Sequence, residues 1–359
     1  MKYLFIVQGD GRGHMTQALA LAGMLRRNGH EVVEILLGRS ISREVPGFFK
    51  DKIGAPISVF ETFSFIFDKE RRNVDLFRTG LHNMNPKVLR HYGESLNFIH
   101  ERIQESKADV VISFYEILMG FYRWRFKNDI PIICIAHQFI TEHPDFEHAK
   151  MLNPLLPFLR LATRATMQGA SKILTLSLYP MRDVEDKKLY VVPPLLRKEV
   201  LELNPRKGNH ILGYMLNQGY EAEIRAWHEA HPEVEIRFFW DKKDAPKEWK
   251  VDDTFTLYTI DDELFLKNMA DCRAYITTAG FESVCEALYL DKAIMLIPAH
   301  IEQEVNAADA HAYAGCVVGD SFDLSKLIAY AERREASDGS FKNWVDSAEE
   351  VFLKHLTEV

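Results

Sequence analysis

Two short segments carry most of the groups in this sequence that could do chemistry. In the first, Thr277-Thr278-Ala279-Gly280-Phe281-Glu282-Ser283-Val284-Cys285-Glu286, an apolar run ends in a glycine turn and opens a helical pattern. A helix N-terminus offers free N–H groups and the positive end of the macrodipole, so a turn built on Thr278, Gly280 and Phe281 suits a phosphate. Phe281, Val284, Cys285, Leu288 and Tyr289 recur at helical spacing and form the buried stripe. Glu282 and Glu286 then share the other side, where Glu286 can accept both hydroxyls of a ribose. In the second segment, Pro298 ends a strand and His300-Ile301-Glu302-Gln303 leads into the next helix, with Asn306 one turn on. Glu302 and Gln303 can hold the hydroxyls of a sugar, and His300 is within reach of phosphate or acceptor.

A third segment, Gly9-Asp10-Gly11-Arg12-Gly13-His14, follows the first apolar run. Gly11 and Gly13 let the backbone turn sharply and approach a ligand. Two details oppose a nicotinamide dinucleotide: the third glycine arrives one residue early, and the next strand ends Leu37-Gly38-Arg39 instead of in an acid. His14 at the helix entrance is a candidate general base. Glu116, after Ser113-Phe114-Tyr115, can orient His14 in a carboxylate–histidine dyad or simply place a favourable charge at a helix start. His137, at the end of another strand, is expected to open on the acceptor side. Asn217 lies in a turn whose backbone amides can meet a diphosphate. The alternation Phe63, Phe65, Phe67 reads as an acceptor-side strand. No Asp-x-Asp triplet occurs and the four cysteines lie far apart, so neither a metal nor a cofactor is indicated.

The elements that must position these groups alternate short apolar runs with helical patterns, which argues for parallel α/β architecture. Strands are expected at 3–8, 31–37, 109–113, 130–136, 172–176 and 189–192, with helices near 16–28, 86–106, 116–127 and 151–169. Pro193-Pro194 through Gly208 reads as a linker. Beyond it, strands are expected at 210–216, 235–240, 255–258, 274–277, 293–297 and 316–318, with helices near 221–231, 262–270, 281–290, 303–314 and 323–334. The reading is two doubly wound domains, 1–203 on the acceptor side and 207–340 on the donor side, facing across a cleft, with a closing helix in 341–359.

The chain has 359 residues and a net charge of −8, so there is no global basic field for nucleic acid. No apolar run approaches the ~18 residues of a membrane span, and the start of the chain enters a glycine turn too soon for a signal peptide. A soluble, cytoplasmic protein is expected. Residues 117–127 and 151–160 mix aromatic and aliphatic side chains with arginines. They are read as core helices with snorkelling cations, the alternative being interfacial helices that give peripheral membrane contact.

With these residues assembled, the chain resembles GT-B fold glycosyltransferases, in particular the group joining UDP-glycosyltransferases with the bacterial enzymes that glycosylate lipid-linked muramyl peptide. Gly11-x-Gly13-His14 with Gly29-His30-x-Val32 resembles the amino-terminal signature. Gly280 through Ala307, ending Glu302-Gln303-x-x-Asn306-Ala307, resembles the donor signature. The resemblance implies two Rossmann-like domains, a UDP-sugar donor, a hydroxyl acceptor that in part of the group is lipid-linked, and no metal. It implies that Glu286 holds the ribose, Glu302 and Gln303 the transferred sugar, the Gly280 helix the diphosphate, and that His14 activates the acceptor in an inverting transfer. A nucleotide-sugar 2-epimerase and a non-catalytic sugar-nucleotide-binding subunit are the alternatives. Two departures stand out: Tyr214-Met215-Leu216-Asn217 replaces a paired-glycine turn, and Ser113 occupies the approximate place of the acid that partners the histidine in many relatives.

Overall fold

The computed structural model describes residues 1–39, 45–63, 76–147, 153–215, 220–242 and 245–358. These form two compact units: one holds the residues up to Arg197 together with those from Trp344 on, the other those from Lys198 to Asn343.

The first unit is built on a seven-stranded parallel sheet: β1 (Lys2–Gln8), β2 (Glu31–Arg39), β3 (Ile57–Glu61), β4 (Val110–Phe114), β5 (Ile132–Ala136), β6 (Lys172–Leu176) and β7 (Leu189–Val192), in the order β3-β2-β1-β4-β5-β6-β7. Leu4–Val7, Val110–Ile112 and Ile132–Ala136 are buried without a break, as expected of strands covered by helices on both faces. The second unit repeats the plan with β8 (Ile211–Met215), β9 (Ile236–Trp240), β10 (Glu248–Lys250), β11 (Phe255–Thr259), β12 (Ala274–Thr277), β13 (Ala293–Leu296) and β14 (Val317–Val318), ordered β10-β11-β9-β8-β12-β13-β14. Only β10 runs antiparallel, against β11.

Each sheet therefore reverses its winding direction once, between β1 and β4 and between β8 and β12. In doubly wound sheets ligands bind at the carboxyl ends of the strands flanking this reversal. The loops that leave those ends are Gly9–Gly11, Tyr115–Glu116 and Thr278–Gly280, the loop after β8 lying outside the described residues.

Several boundaries differ from the sequence reading. The edge strands β3 and β10 were not anticipated, and neither were the Gly47–Ile53 and Leu76–Asn83 helices. The first helix starts at Arg12, not at residue 16, because glycine at the second helical position does not prevent a turn from forming. The expected 151–169 helix is Leu156–Thr166. The tail forms two helices, Ser340–Asp346 and Ala348–Thr357. The stretch from Trp344 packs on the first unit: the Trp344 indole donates to the Ser177 carbonyl at 3.0 Å, and the Tyr3 hydroxyl to that of Leu356 at 3.1 Å.

Candidate active site

In the first unit the glycine loop divides into a structural and an open half. The Gly9 amide donates to the Gly38 carbonyl at 2.7 Å, and a Cβ on Gly9 would lie 2.8 Å from that same oxygen. Packing requires this glycine. Gly11 is different: it caps the Arg12–Arg27 helix without a side-chain cap, and a Cβ on it would meet nothing within 4 Å. Its φ of −111° suits any residue, so the fold itself does not demand a glycine there. Open space over a helix N-terminus is what close approach of a ligand needs.

Gly13 and His14 sit in the first turn of that helix. The His14 Nδ1 lies 3.3 Å from the Gln17 Oε1, and its ring stacks on Tyr115 with centroids 5.5 Å apart and planes 21° apart. Tyr115 has φ of 56°, the left-handed region that non-glycine residues avoid. Its hydroxyl pairs with the Thr163 hydroxyl at 2.8 Å.

The placement of Glu116 corrects the dyad. Its carboxylate is fully buried, takes the Thr62 hydroxyl and accepts from the Leu118 amide at 3.1 Å, so it caps the Ile117–Arg125 helix and does not hydrogen-bond His14. Burial pushes its carboxyl up to about 7, with the charge of Asp10 adding to the shift while the Thr62 and backbone hydrogen bonds oppose it. A Cβ on Gly38 would collide with this carboxylate, so β2 narrows at that point to admit it. His137 does not open to an acceptor either. It is buried, and its Nδ1 bonds the Leu176 carbonyl at 2.8 Å, across to the neighbouring strand.

The second unit repeats the geometry around β12. Ala279, with φ of 62°, turns the strand into the Phe281–Tyr289 helix, whose N-cap Gly280 carries no side-chain cap. A Cβ on Gly280 would meet only the Ser283 Oγ, at 4.0 Å. Two side chains of the Ile301–Ala314 helix hold the turn: Asn306 donates to the Ala279 carbonyl at 3.1 Å, and the Gln303 Oε1 accepts from the Ala299 amide at 2.9 Å. The Gln303 Nε2 stands 3.5 Å from the Thr278 Oγ1. His300 is the N-cap of that helix, half-buried like Glu302 and Glu282. Phe281 and Thr278 are buried, and Glu286 is only 2% exposed, not the solvated acid that its spacing alone suggests. Thr278, Gly280, Gln303 and Asn306 thus meet at the carboxyl end of β12, with Phe281 and Glu282 opening the helix that starts there and Glu286 buried further along it. Asn217 and the Phe65–Phe67 alternation lie outside the described residues, so the diphosphate-turn and acceptor-strand expectations are not placed.

Residues 1–329 match the family described as glycosyl transferase family 1. The chain belongs to that family. No curated protein matches the sequence of this glycosyltransferase. Among solved structures, it is similar to Phytolacca americana UGT2 complexed with UDP-2-fluoro-glucose and pterostilbene, at 13% identity and a TM-score of 0.65, covering 100% of this chain and 99% of that one. It is also similar to Acinetobacter baumannii MurG, at 14% identity and a TM-score of 0.58 over 100% and 99% of the two chains. The calicheamicin glycosyltransferase CalG4 matches at 16% identity and 0.56, over 98% and 94%. At such identities the likeness shows the fold, which is GT-B with two Rossmann-like units. Around the sequence-predicted residues the structure also brings in Gln17 beside His14, Thr62 on Glu116 and Thr163 on Tyr115, none of which the sequence reading singled out. Only Gln17 left a signal, its spacing of three from His14.

Proposed function

We propose that this glycosyltransferase moves a sugar from a nucleotide-sugar donor, a UDP-sugar, to a hydroxyl acceptor by an inverting reaction without a bound metal. The observation that carries the reading is the uncapped Phe281–Tyr289 N-terminus, with open space at Gly280 and a strained residue in front of it. Backbone amides aimed at one point, with the helix macrodipole behind them, stabilise the negative charge of a departing diphosphate. On this reading Glu286 accepts the ribose hydroxyls, and Glu302 with Gln303 holds the transferred sugar. In the reaction His14 takes the proton of the acceptor hydroxyl, the oxygen bonds to the anomeric carbon, and the bond from that carbon to the diphosphate oxygen breaks, leaving the nucleoside diphosphate.

The test is incubation of the protein with UDP-sugars, with and without hydroxyl acceptors, in the presence of a chelator. UDP released only with acceptor, together with an inverted product, supports the reading. Epimer formed without acceptor, or release that needs added divalent metal, overturns it.

The partner reading extends to a membrane surface, on which a lipid-linked acceptor would be met. The Ile117–Arg125 and Leu156–Thr166 helices pack closely, Gly120 lying against the Ala165 carbonyl. Their outer faces leave Trp124 87%, Leu161 67% and Phe158 60% exposed, with Phe121 beside them. The Ile117–Arg125 helix carries Arg123 and Arg125 and is followed by Lys127, while Arg160 and Arg164 of the Leu156–Thr166 helix both pair with the buried Glu142 at 2.8 Å. Exposed aromatic rings flanked by cations suit an anionic lipid interface. A second copy of the chain fits less well, since a two-fold contact would set these cations against themselves. No helix among the described residues is long and apolar enough to cross a membrane, so the contact would be peripheral.

A further inference from the structure

We propose that Gln17 and Tyr115 are positioning residues that fix the tautomer and the plane of the His14 imidazole. The inference rests on the reading of His14 as the acceptor-activating base and says how that base is prepared.

The starting observation is the 3.3 Å approach of the His14 Nδ1 to the Gln17 Oε1. Residues three apart on a helix share a face, so this pairing follows from the spacing once both lie in the Arg12–Arg27 helix. Gln17 is 2% exposed, whereas His14 is half-buried, so a packed amide holds an accessible ring. A carbonyl oxygen can only accept. Its partner nitrogen must therefore carry the proton, which leaves the lone pair on Nε2. A base is useful only if the atom facing the acceptor is the one without the proton.

The second restraint is the stack on Tyr115. A non-glycine residue keeps a φ of 56° only where its surroundings hold it there. Here the phenol is tied to Thr163 at 2.8 Å, and the next residue, Glu116, is locked by Thr62 and the Leu118 amide. The ring is a fixed shelf against which the imidazole lies nearly parallel. One contact selects the protonated nitrogen and the other selects the plane.

Gln17 does the orienting work that a carboxylate does in a histidine–acid pair, but without a formal charge. The other ionisable groups on these segments are Asp10 and Arg12 beside the helix start, the Tyr115 phenol, and the buried Glu116 at the end of β4. A neutral partner stabilises the imidazolium less than an acid does, so the proton is passed on readily after transfer.

The test is 15N NMR of histidine-labelled protein, with His14 assigned from a His14→Ala sample, alongside kinetics. Wild-type protein should show a pyrrole-type Nδ1 and a pyridine-type Nε2. Gln17→Leu, of similar volume, should mix the tautomers and lower kcat on the order of tenfold with little change in KM, a fraction of what a general base contributes. Gln17→Glu should restore the tautomer and move the acidic limb of the pH–rate profile upward. Tyr115→Phe should keep the stack and most of kcat, and Tyr115→Leu should lose both. Gln17→Leu with an unchanged His14 tautomer and unchanged kcat overturns the proposal. The two readings separate cleanly: full turnover by His14→Ala removes the base, whereas the tautomer measurement judges Gln17 whether or not His14 is the base.

Discussion

The side-chain amide of Asn306 donates to the carbonyl of Ala279 at 3.1 Å, and Ala279 is the residue whose φ of 62° turns β12 into the Phe281–Tyr289 helix. The Ile301–Ala314 helix, which follows β13, therefore holds the strained corner on which the proposed diphosphate site depends. A left-handed alanine costs on the order of 1 kcal/mol, and only a fixed surrounding keeps it. Asn306→Ala should lose about 1 kcal/mol of stability in urea unfolding, the ordinary value of one hydrogen bond. Nucleotide-sugar affinity by calorimetry should fall on the order of tenfold, because the amides no longer converge. Unchanged affinity with the same stability loss would make Asn306 structural only.

Gly280 separates fold from function more sharply. Its backbone angles are open to any residue, and the nearest atom to a new Cβ is 4.0 Å away. Gly280→Ala should therefore alter stability by no more than about 0.5 kcal/mol. A methyl group at that place stands where phosphate oxygens would approach the amides, so UDP-sugar binding should weaken about tenfold. Gly11→Ala should behave the same way toward turnover. Thermal melts and titrations of both variants check the pair, and full binding by Gly280→Ala would move the diphosphate elsewhere.

Glu116 gives a pH dependence of stability with a defined sign. Burial raises its folded pKa from 4.5 to about 7, so the native state binds more protons than the unfolded chain between these values. Stability contributed by this group is complete below about pH 4.5 and is lost as pH rises through 7. The loss is at most about 3 kcal/mol at pH 8. Glu116→Gln keeps the oxygen that accepts from Leu118 and removes the buried charge. It should be more stable than the wild type at pH 8 and close to it at pH 5 in urea titrations. A variant less stable at both pH values would show that the carboxylate's hydrogen bonds outweigh its desolvation.

Much of this architecture was legible in the sequence because parallel strands buried on both faces must be continuous apolar runs. β1, β5 and β6 could be read within a residue or two. β3 and β10 could not. Both are edge strands, half-exposed or fully exposed, and Ile57-Ser58-Val59-Phe60-Glu61 has no unbroken apolar run. The donor-side turn was legible because Gly280, Glu286 and Gln303 lie close in the chain and helical spacing fixes their faces. On the acceptor side the geometry depends on contacts between distant segments, such as His14 on Tyr115 or Thr62 on Glu116. No local pattern announces a positive φ on a tyrosine. The same limit misplaced Trp124: spacing makes a helix of residues 117–125, but which side the neighbouring helix covers is decided by Gly120 meeting Ala165.

That exposed face carries the last prediction. The gain from burying aromatic rings at an interface adds to about 1 kcal/mol for each cation near an anionic surface. Binding should accordingly need both negative lipid and the aromatic side chains. The protein should co-sediment with phosphatidylglycerol vesicles more than with phosphatidylcholine vesicles, and less as salt rises. A blue shift of tryptophan emission should accompany binding, with Trp124 as its main source. The double variant Trp124→Ser, Phe158→Ser should abolish both signals while leaving turnover on a water-soluble acceptor unchanged, since neither residue belongs to the proposed site. Equal sedimentation of variant and wild type, or no preference for the anionic vesicles, would show that this face does not meet a membrane.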